Sequence, residues 1–362
     1  MRVPSERLEQ VASMILGAMG SPDEEAALVA GSLVGANLMG HDSHGIGLLP
    51  VYVGHFRDGM LKPGTAVDTV RDDGPILQFD GRTGFGRRVG GEAMNIAVSR
   101  CREHGVSLMT LKNAHHLGRI GAYGEIALAS ELVSIHFVNV IDHAPKVAPW
   151  EGSTARFVTN PVCIAVPGTG NTPPILLDMA TSRIALGKAR VAALRGQPVE
   201  MGNVVDADGR PSNDPGVVFA DPPGALLPFG EYKGSGLALI CELLAGGLSG
   251  GGTIQPENPR RGSIMNNMTT ILIDPARFAD RTWLADEIDA MVGYVKSSPP
   301  AKTGRAVQVA GDPERAVLAE RQKRGIPIDP AEWREIADAG IGLGLEPSAF
   351  ERVSGRTGSV TP

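Results

Sequence analysis

From Ile76 onward, short apolar runs alternate with stretches of helical texture, and no other feature of this sequence constrains the fold as tightly. The clearest run is Val133-Ser134-Ile135-His136-Phe137-Val138-Asn139-Val140, rich in β-branched residues and predicted as a strand. Residues 76–79, 106–111, 162–166, 175–177 and 269–273 read as further strands. Helices are expected over 92–104 (closed by Gly105), 122–130, 234–248 and 283–295. Strands alternating with helices specify an α/β architecture, although the pattern sets neither strand order nor direction.

The two ends of the chain read differently. Ser5 is expected to cap a first helix, with Leu8, Val11, Ala12, Ile15 and Leu16 spaced along one face and Gly20 closing it. Ser21-Pro22-Asp23-Glu24 has the spacing of a capping box and predicts a second helix running to Gly40. A third is expected over 48–56, ended by Gly59. Beyond Pro299-Pro300, helical texture returns over 313–324 and 329–339, the latter with Asp329 at the N-cap and Pro330 after it. The predicted organisation is a helical domain built from both termini (1–75 plus 300–350) enclosing a mixed α/β domain (76–299), with 351–362 as a flexible tail.

Composition narrows the function classes. Charged residues are 20% and apolar residues 42% of the chain, the ordinary balance of a globular protein. The net charge of −6 comes without a basic stripe, which sets nucleic-acid binding aside. Cys101, Cys163 and Cys241 are odd in number and far apart, so neither a disulfide framework nor a zinc knuckle is expected. No apolar run reaches the length of a membrane span, and the N-terminal stretch lacks the core of a signal peptide, so a cytoplasmic address is expected. Glycine is abundant at 47 residues while aromatics are 4%, which is compatible with backbone-lined sites and equally with many tight turns.

Two polar segments stand out. His41-Asp42-Ser43-His44 lies between Gly40 and Gly45, flanked by apolar sequence. Four polar residues there either face water as a capped turn or line a site, and histidine moves protons near neutral pH. Asn113-Ala114-His115-His116-Leu117-Gly118-Arg119-Ile120-Gly121 joins a predicted strand to a predicted helix. Such a turn is either an ordinary connection or a seat for an anionic group on exposed backbone N–H groups. Weaker signals are Thr159-Asn160-Pro161, the strand-end carboxylate Asp178, and the stretch from Phe229 to Gly234 carrying Lys233; each serves structure equally well.

The familiar signatures are missing. No strand is followed by Gly-x-Gly-x-x-Gly, no Walker loop occurs, and no His-Glu-x-x-His occurs. Gly247-Leu248-Ser249-Gly250-Gly251 matches Gly-x-Ser-x-Gly, but it ends a helix where a nucleophile elbow would join a strand to one.

Taken together, these segments resemble the malate/L-lactate dehydrogenase family, whose members lack a Rossmann fold. The likeness runs over residues 5–350 through Gly40 to Gly47, His115 to Gly121, Ser134 to Val138, Thr159-Asn160-Pro161, Leu177 to Ser182, Lys233-Gly234, Ser249 to Gly251 and Glu320 to Pro327. The resemblance implies a non-Rossmann, NAD(P)-binding α/β domain, a smaller and mainly helical domain, and a homodimer. It implies interconversion of small 2-hydroxy acids and 2-oxo acids, with NAD as cofactor and NADP as the alternative. His44, oriented by Ser43 and Asp178, is the implied proton donor, and His116 holds that role in other members. Cofactor contacts are implied at His44, Gly118, Arg119, Ile120, Asp178, Met179, Lys233, Asn266, Gly311, Asp312 and Pro313, and substrate contacts at Leu48, Thr159 and Asn160. No metal is implied.

Two positions depart from the family pattern. Several relatives carry an arginine, thought to hold the substrate carboxylate, where this chain has Leu48. The branch of the family acting on 2-oxoglutarate, phenylpyruvate and hydroxyphenylpyruvate is also apolar there, which favours that branch over malate, lactate or ureidoglycolate. Val158 replaces a usual glycine, and a β-branched residue resists positive φ, so a local change in that loop is expected. The rival class is a metal-dependent hydrolase using His41, Asp42, His44, His115 and His116, and a third is a scaffold descended from the enzyme.

Overall fold

The computed structural model describes residues 1–353. Its strands are β1 (Arg2–Val3), β2 (Asp68–Asp73), β3 (Ile76–Asp80), β4 (Val106–His115), β5 (Val133–Ile141) and β6 (Val162–Val166). They continue with β7 (Ile175–Met179), β8 (Val204–Val205), β9 (Pro211–Ser212), β10 (Ala225–Leu226), β11 (Met265–Ile273) and β12 (Ile326–Pro327). The helices are α1 (Ser5–Ala18), α2 (Asp23–Leu38), α3 (Leu49–Arg57), α4 (Gly86–His104), α5 (Gly121–Leu128) and α6 (Leu186–Leu194). After them come α7 (Tyr232–Cys241), α8 (Arg281–Lys296), α9 (Asp312–Arg324), α10 (Pro330–Ile341) and α11 (Pro347–Val353).

Seven strands form one mixed sheet in the order β2-β3-β4-β11-β5-β6-β7. Every pairing is antiparallel except β3 with β4, and α4 makes the crossover that a parallel pair requires. A doubly wound Rossmann sheet is parallel throughout its core, so this is a different α/β fold. Strand β11, paired on both sides at the centre, is buried at seven of its first eight positions, as its apolar and threonine-rich sequence allows. Edge strand β2 is exposed throughout and carries three aspartates, charges that discourage edge-to-edge pairing. Helix α4 lays Val89, Ala93, Ala97 and Cys101, at intervals of four, against the sheet, and Gly105 at φ +83° ends it.

A second apolar core joins the chain ends. Leu8, Val11, Ala12, Ile15 and Leu16 of α1 pack with residues of α2 and α3, Trp333 and Ile336 of α10 and Phe350 of α11. β1 pairs with β12, fastening the two ends of the chain beside this core. A three-stranded ladder, β10-β8-β9, packs beside α6 through Val204, Leu226 and Ala189.

Several local expectations are corrected. Ser5 is the first residue of α1 and Pro4 precedes it without a side-chain cap. The capping box at Ser21 does not form: α2 opens at Asp23, and the Ser21 amide instead donates to Leu16 O, closing α1 around Gly20. Strand β4 runs to His115 because Asn113, at φ +53°, bulges and anchors its amide on Asn267 Oδ1, so His115 belongs to the strand and not to a loop. The expected helix to Leu248 changes at Glu242 into a π-helical turn (Glu242–Gly247), where the buried Glu242 carboxylate meets Asn139 and Asn160. Helix α10 begins as expected, Asp329 accepting from the Ala331 amide. Of the expected tail over 351–362, residues 354–362 lie outside the described residues, and 351–353 complete α11.

Candidate active site

Beyond α2 the chain turns through a 3₁₀ turn (Asp42–His44), and Asn37 sets its shape. The Asn37 amide donates to Asp42 Oδ1 at 2.8 Å while its carbonyl accepts from the Ile46 amide at 2.9 Å. Gly45 is required by this contact, since a Cβ there would lie 2.2 Å from Asn37 Oδ1. Asp42 is held by Arg321 of α9, and His41 lies 3.6 Å from Glu314. The first two polar residues of the segment are therefore braces toward α9. Ser43 faces α6, packed so closely that Gly187 has no room for a Cβ, which would sit 2.4 Å from Ser43 Cβ.

His44 stacks on His116, with ring centroids 5.4 Å apart and planes 25° from parallel. Each ring is fixed through Nδ1 by a hydroxyl: Ser43 Oγ lies 3.0 Å from His44, and Tyr52 Oη 2.7 Å from His116. Burial, with Tyr123 nearby, raises the Tyr52 pKa and keeps the phenol protonated. The phenol and His116 Nδ1 are hydrogen-bond partners, so the direction of this bond sets the tautomer of the ring. Behind this pair, His55 Nδ1 and His115 Nε2 are 2.9 Å apart, and the Tyr52 ring meets His115 edge-on. Burial lowers the His44 pKa to about 4, with His41 and Arg119 adding repulsion. His116 is lowered well below its usual value, first by burial and then by repulsion from His44. The resting pair is thus neutral at pH 7, and a second proton on it is disfavoured.

The segment after His116 is held differently from the sequence expectation. Leu117 donates its amide to Asn266 Oδ1 at 2.8 Å, and Gly118 turns the chain at φ +73°. At the start of α5 the Gly121 amide donates to Asp178 Oδ2 at 2.7 Å, and the next two amides close on Arg119 O and Ile120 O. Arg119 is ion-paired with Glu125 at 2.6 Å. The amides of the first turn of α5 are therefore satisfied, and a carboxylate stands beside them. Burial raises the Asp178 pKa, partly offset by the Gly121 amide. Among the described residues its Oδ1 has no hydrogen-bond partner, which suits a hydroxyl or amide donor such as a nucleotide supplies, and Gly118 has open space beside it.

The remaining sequence candidates are spread around this centre. Met179 ends β7, opposite Val162, and Ile120 is buried in the sheet core. Lys233 is exposed beside the Tyr232 ring at the start of α7. Gly311, at φ +92°, precedes α9, where Asp312 binds Lys296 and Arg315 ahead of Pro313. Leu48 packs against the helical core. The Thr159 carbonyl accepts from Thr181, and the buried Asn160 amide donates to Ala238 O and Glu242, while its Oδ1 has no partner among the described residues. Val158 needs no positive φ: that conformation falls on Asn160, at φ +28°, while Val158 packs with Val140 and Ile254.

The cleft is lined by His44, His116, Tyr52, Phe85, Arg87 and Gly118, with Val29, Ser32, Leu33 and Leu117 completing its wall. Sequence reasoning missed Tyr52, His55 and Arg87. The spacing of Tyr52 and His55, three apart on a helix that is otherwise apolar up to Arg57, is the signal that would have found the first two. Among the described residues no group of three or more His, Cys, Asp or Glu is placed to hold a metal ion. Ser249 Oγ bonds to Ala245 O of its own helical turn, unlike an activated nucleophile.

Comparison with known proteins gives the family. A family model described as malate/L-lactate dehydrogenase matches residues 3–337. The chain is 43% identical to an L-lactate dehydrogenase of Cupriavidus necator, over 93% of this chain and 96% of that one. It is 41% identical to hydroxycarboxylate dehydrogenase B of Escherichia coli, over 95% of each. A solved E. coli structure, described as a malate/lactate dehydrogenase, superposes with a TM-score of 0.94 at 40% identity, covering 98% of this chain and 99% of that one.

Proposed function

The chain belongs to the malate/L-lactate dehydrogenase family, and from that premise we propose that it interconverts 2-hydroxy acids and 2-oxo acids at the His44–His116 cleft, using NAD or NADP. The observation that carries the reading is the stacked, hydroxyl-anchored and neutral imidazole pair lining that cleft. A pyridine nucleotide supplies or takes the hydride when bound, with Asp178 and Gly118 as the residues suited to hold its nicotinamide end.

As the oxo carbon is reduced, negative charge gathers on its oxygen. His116 Nε2–H donates a hydrogen bond there, and protonated His44 delivers the proton. In the reverse direction neutral His44 takes the hydroxyl proton through Nε2, its Nδ1 steadied by Ser43. One hydride added to the oxo carbon is balanced by one proton on its oxygen, so one proton is handled per turnover. Val29, Leu33, Phe85 and Leu117 give the cleft apolar walls, which favours 2-oxo acids with large apolar side chains such as phenylpyruvate over pyruvate.

A homodimer fits the surface: Tyr232, Leu239, Ile240, Leu243 and Leu248, on and just beyond α7, are large apolar residues left exposed on the single chain. The deciding experiment follows absorbance at the nicotinamide band with NADH and NADPH against a panel of 2-oxo acids. Cofactor oxidation with aromatic 2-oxo acids supports the reading. A protein inert toward the whole panel with both nucleotides refutes it.

A further inference from the structure

We infer that Arg87 is the anchor for the substrate carboxylate, the role left open by Leu48; the inference rests on the dehydrogenase reading of the same cleft. Arg87 lies in the first turn of α4 and lines the cleft with His44 and His116. The guanidinium Nη1 is buried without a hydrogen-bond partner, although the residue as a whole is partly exposed. An unpaired charged donor removed from water is costly unless something else satisfies it.

Among the described residues no Asp or Glu pairs with Arg87, whose side-chain contact is with Tyr123. Glu25 and Glu92 are bound by the next residue, Arg88. Those carboxylates also accept the amides of Gly64 and Val67. Among the described residues no Asp or Glu lines the cleft, and its two histidines are held neutral by burial. Arg87 is therefore the one fixed charge among the lining residues, and the cleft is complementary to a single anion.

Its position is defined as well. The Arg87 guanidinium carbon sits over the Tyr123 ring, 5.4 Å from the centroid, and the Tyr123 hydroxyl is fastened to Gly86 O and Leu117 O. Gly86 approaches the end of β4 so closely that a Cβ would fall 2.1 Å from His115 O and 2.5 Å from His116 O. The residue before Arg87 thus touches the backbone of the histidine that faces the oxo group. A 2-oxo acid has its carboxylate on the carbon next to the oxo carbon, so one group on Arg87 and the other on the imidazoles is the arrangement its chemistry requires. The planar guanidinium fork matches a carboxylate with two parallel hydrogen bonds. With a single cation in the cleft, monocarboxylic 2-oxo acids are favoured over dicarboxylic ones.

The test titrates oxamate, a non-reducible 2-oxo-acid mimic, calorimetrically into the protein saturated with reduced nucleotide, for wild type, Arg87→Gln and Arg87→Lys. Arg87→Gln should weaken oxamate about 30-fold or more, and Arg87→Lys by less, because it keeps the charge and loses the fork. Nucleotide affinity, measured separately, should stay unchanged. Turnover adds a readout that a structural role would not move: wild type should prefer phenylpyruvate over its methyl ester, and Arg87→Gln should lose that preference. Equal oxamate binding by wild type and Arg87→Gln, no oxamate binding by wild type, or an acid-over-ester preference kept in Arg87→Gln overturns the assignment. Turnover without Arg87-dependent oxamate binding would remove the anchor and leave the dehydrogenase standing. Arg87-dependent binding in a protein inert toward all 2-oxo acids would do the reverse.

Discussion

Tyr52 Oη lies 2.7 Å from His116 Nδ1, and this bond determines which face of the imidazole meets the cleft. In the proposed mechanism the buried phenol donates to Nδ1, so His116 presents an N–H, while His44, bonded to the more adaptable Ser43 hydroxyl, gains and loses the proton. Removing the phenol oxygen frees the His116 tautomer without opening much space. Tyr52→Phe is expected to lower kcat about 3- to 10-fold, the effect of one neutral hydrogen bond, with nucleotide affinity unchanged. Steady-state kinetics beside a nucleotide titration checks this, and an unchanged kcat would show that the tautomer is set elsewhere.

The two reaction directions should respond oppositely to acid. With His44 lowered to about 4, the neutral base required for oxidation of the hydroxy acid is present throughout the neutral range and is lost only as pH falls through about 4. Reduction needs the protonated ring, so its rate should rise as pH falls from neutrality toward that value. Parallel pH–rate profiles with phenyllactate and phenylpyruvate check the prediction. Profiles of the same sign in both directions would contradict it.

Acid should also weaken the fold itself. His136 is buried between Ser134 and Thr270 hydroxyls, 2.9 Å from each, and burial lowers its pKa from 6.5 to about 3. The unfolded chain takes up this proton first, so the stabilisation is complete above pH 6.5, drains as pH falls, and is gone below about 3. Each such histidine contributes a slope of up to about 1.4 kcal/mol per pH unit in that window. His136→Gln, which can still bond a hydroxyl, should flatten the decline in denaturant-derived stability between pH 6 and 4 by about that amount. An unaltered slope would mean that this site is not held neutral.

How much of this could be read beforehand depends on where the information resides. The β5 strand and the α1 stripe of Leu8, Val11, Ala12, Ile15 and Leu16 are local periodicities, and both appear at the expected positions. The antiparallel course of the sheet is not local, because β11 inserts between β4 and β5 from more than a hundred residues downstream. Capping failed at Ser21 because its amide serves the helix before it, a competition invisible in the residue order. At the site, His44 and His116 were legible as histidines in polar segments, but their stacking comes from tertiary packing. Arg87 was not legible at all: beside Arg88 it is one of two adjacent arginines, and only the fold shows that one is paired and the other is not.

Side-chain preference offers a separate check on the cleft. Apolar walls formed by Leu33, Phe85 and Leu117 should give phenylpyruvate a higher kcat/KM than pyruvate, by about 10-fold or more given the extra apolar area removed from water. A clear preference for pyruvate would place the substrate side chain elsewhere.

The most direct measurement is the turnover of His44→Ala at saturating nucleotide and phenylpyruvate, with and without added imidazole. Loss of a positioned proton donor predicts a fall of about 10²- to 10⁴-fold in kcat, with part of the rate restored by imidazole and nucleotide affinity kept. Full turnover in His44→Ala, or imidazole rescue confined to His116→Ala, would contradict the assignment of the proton to His44.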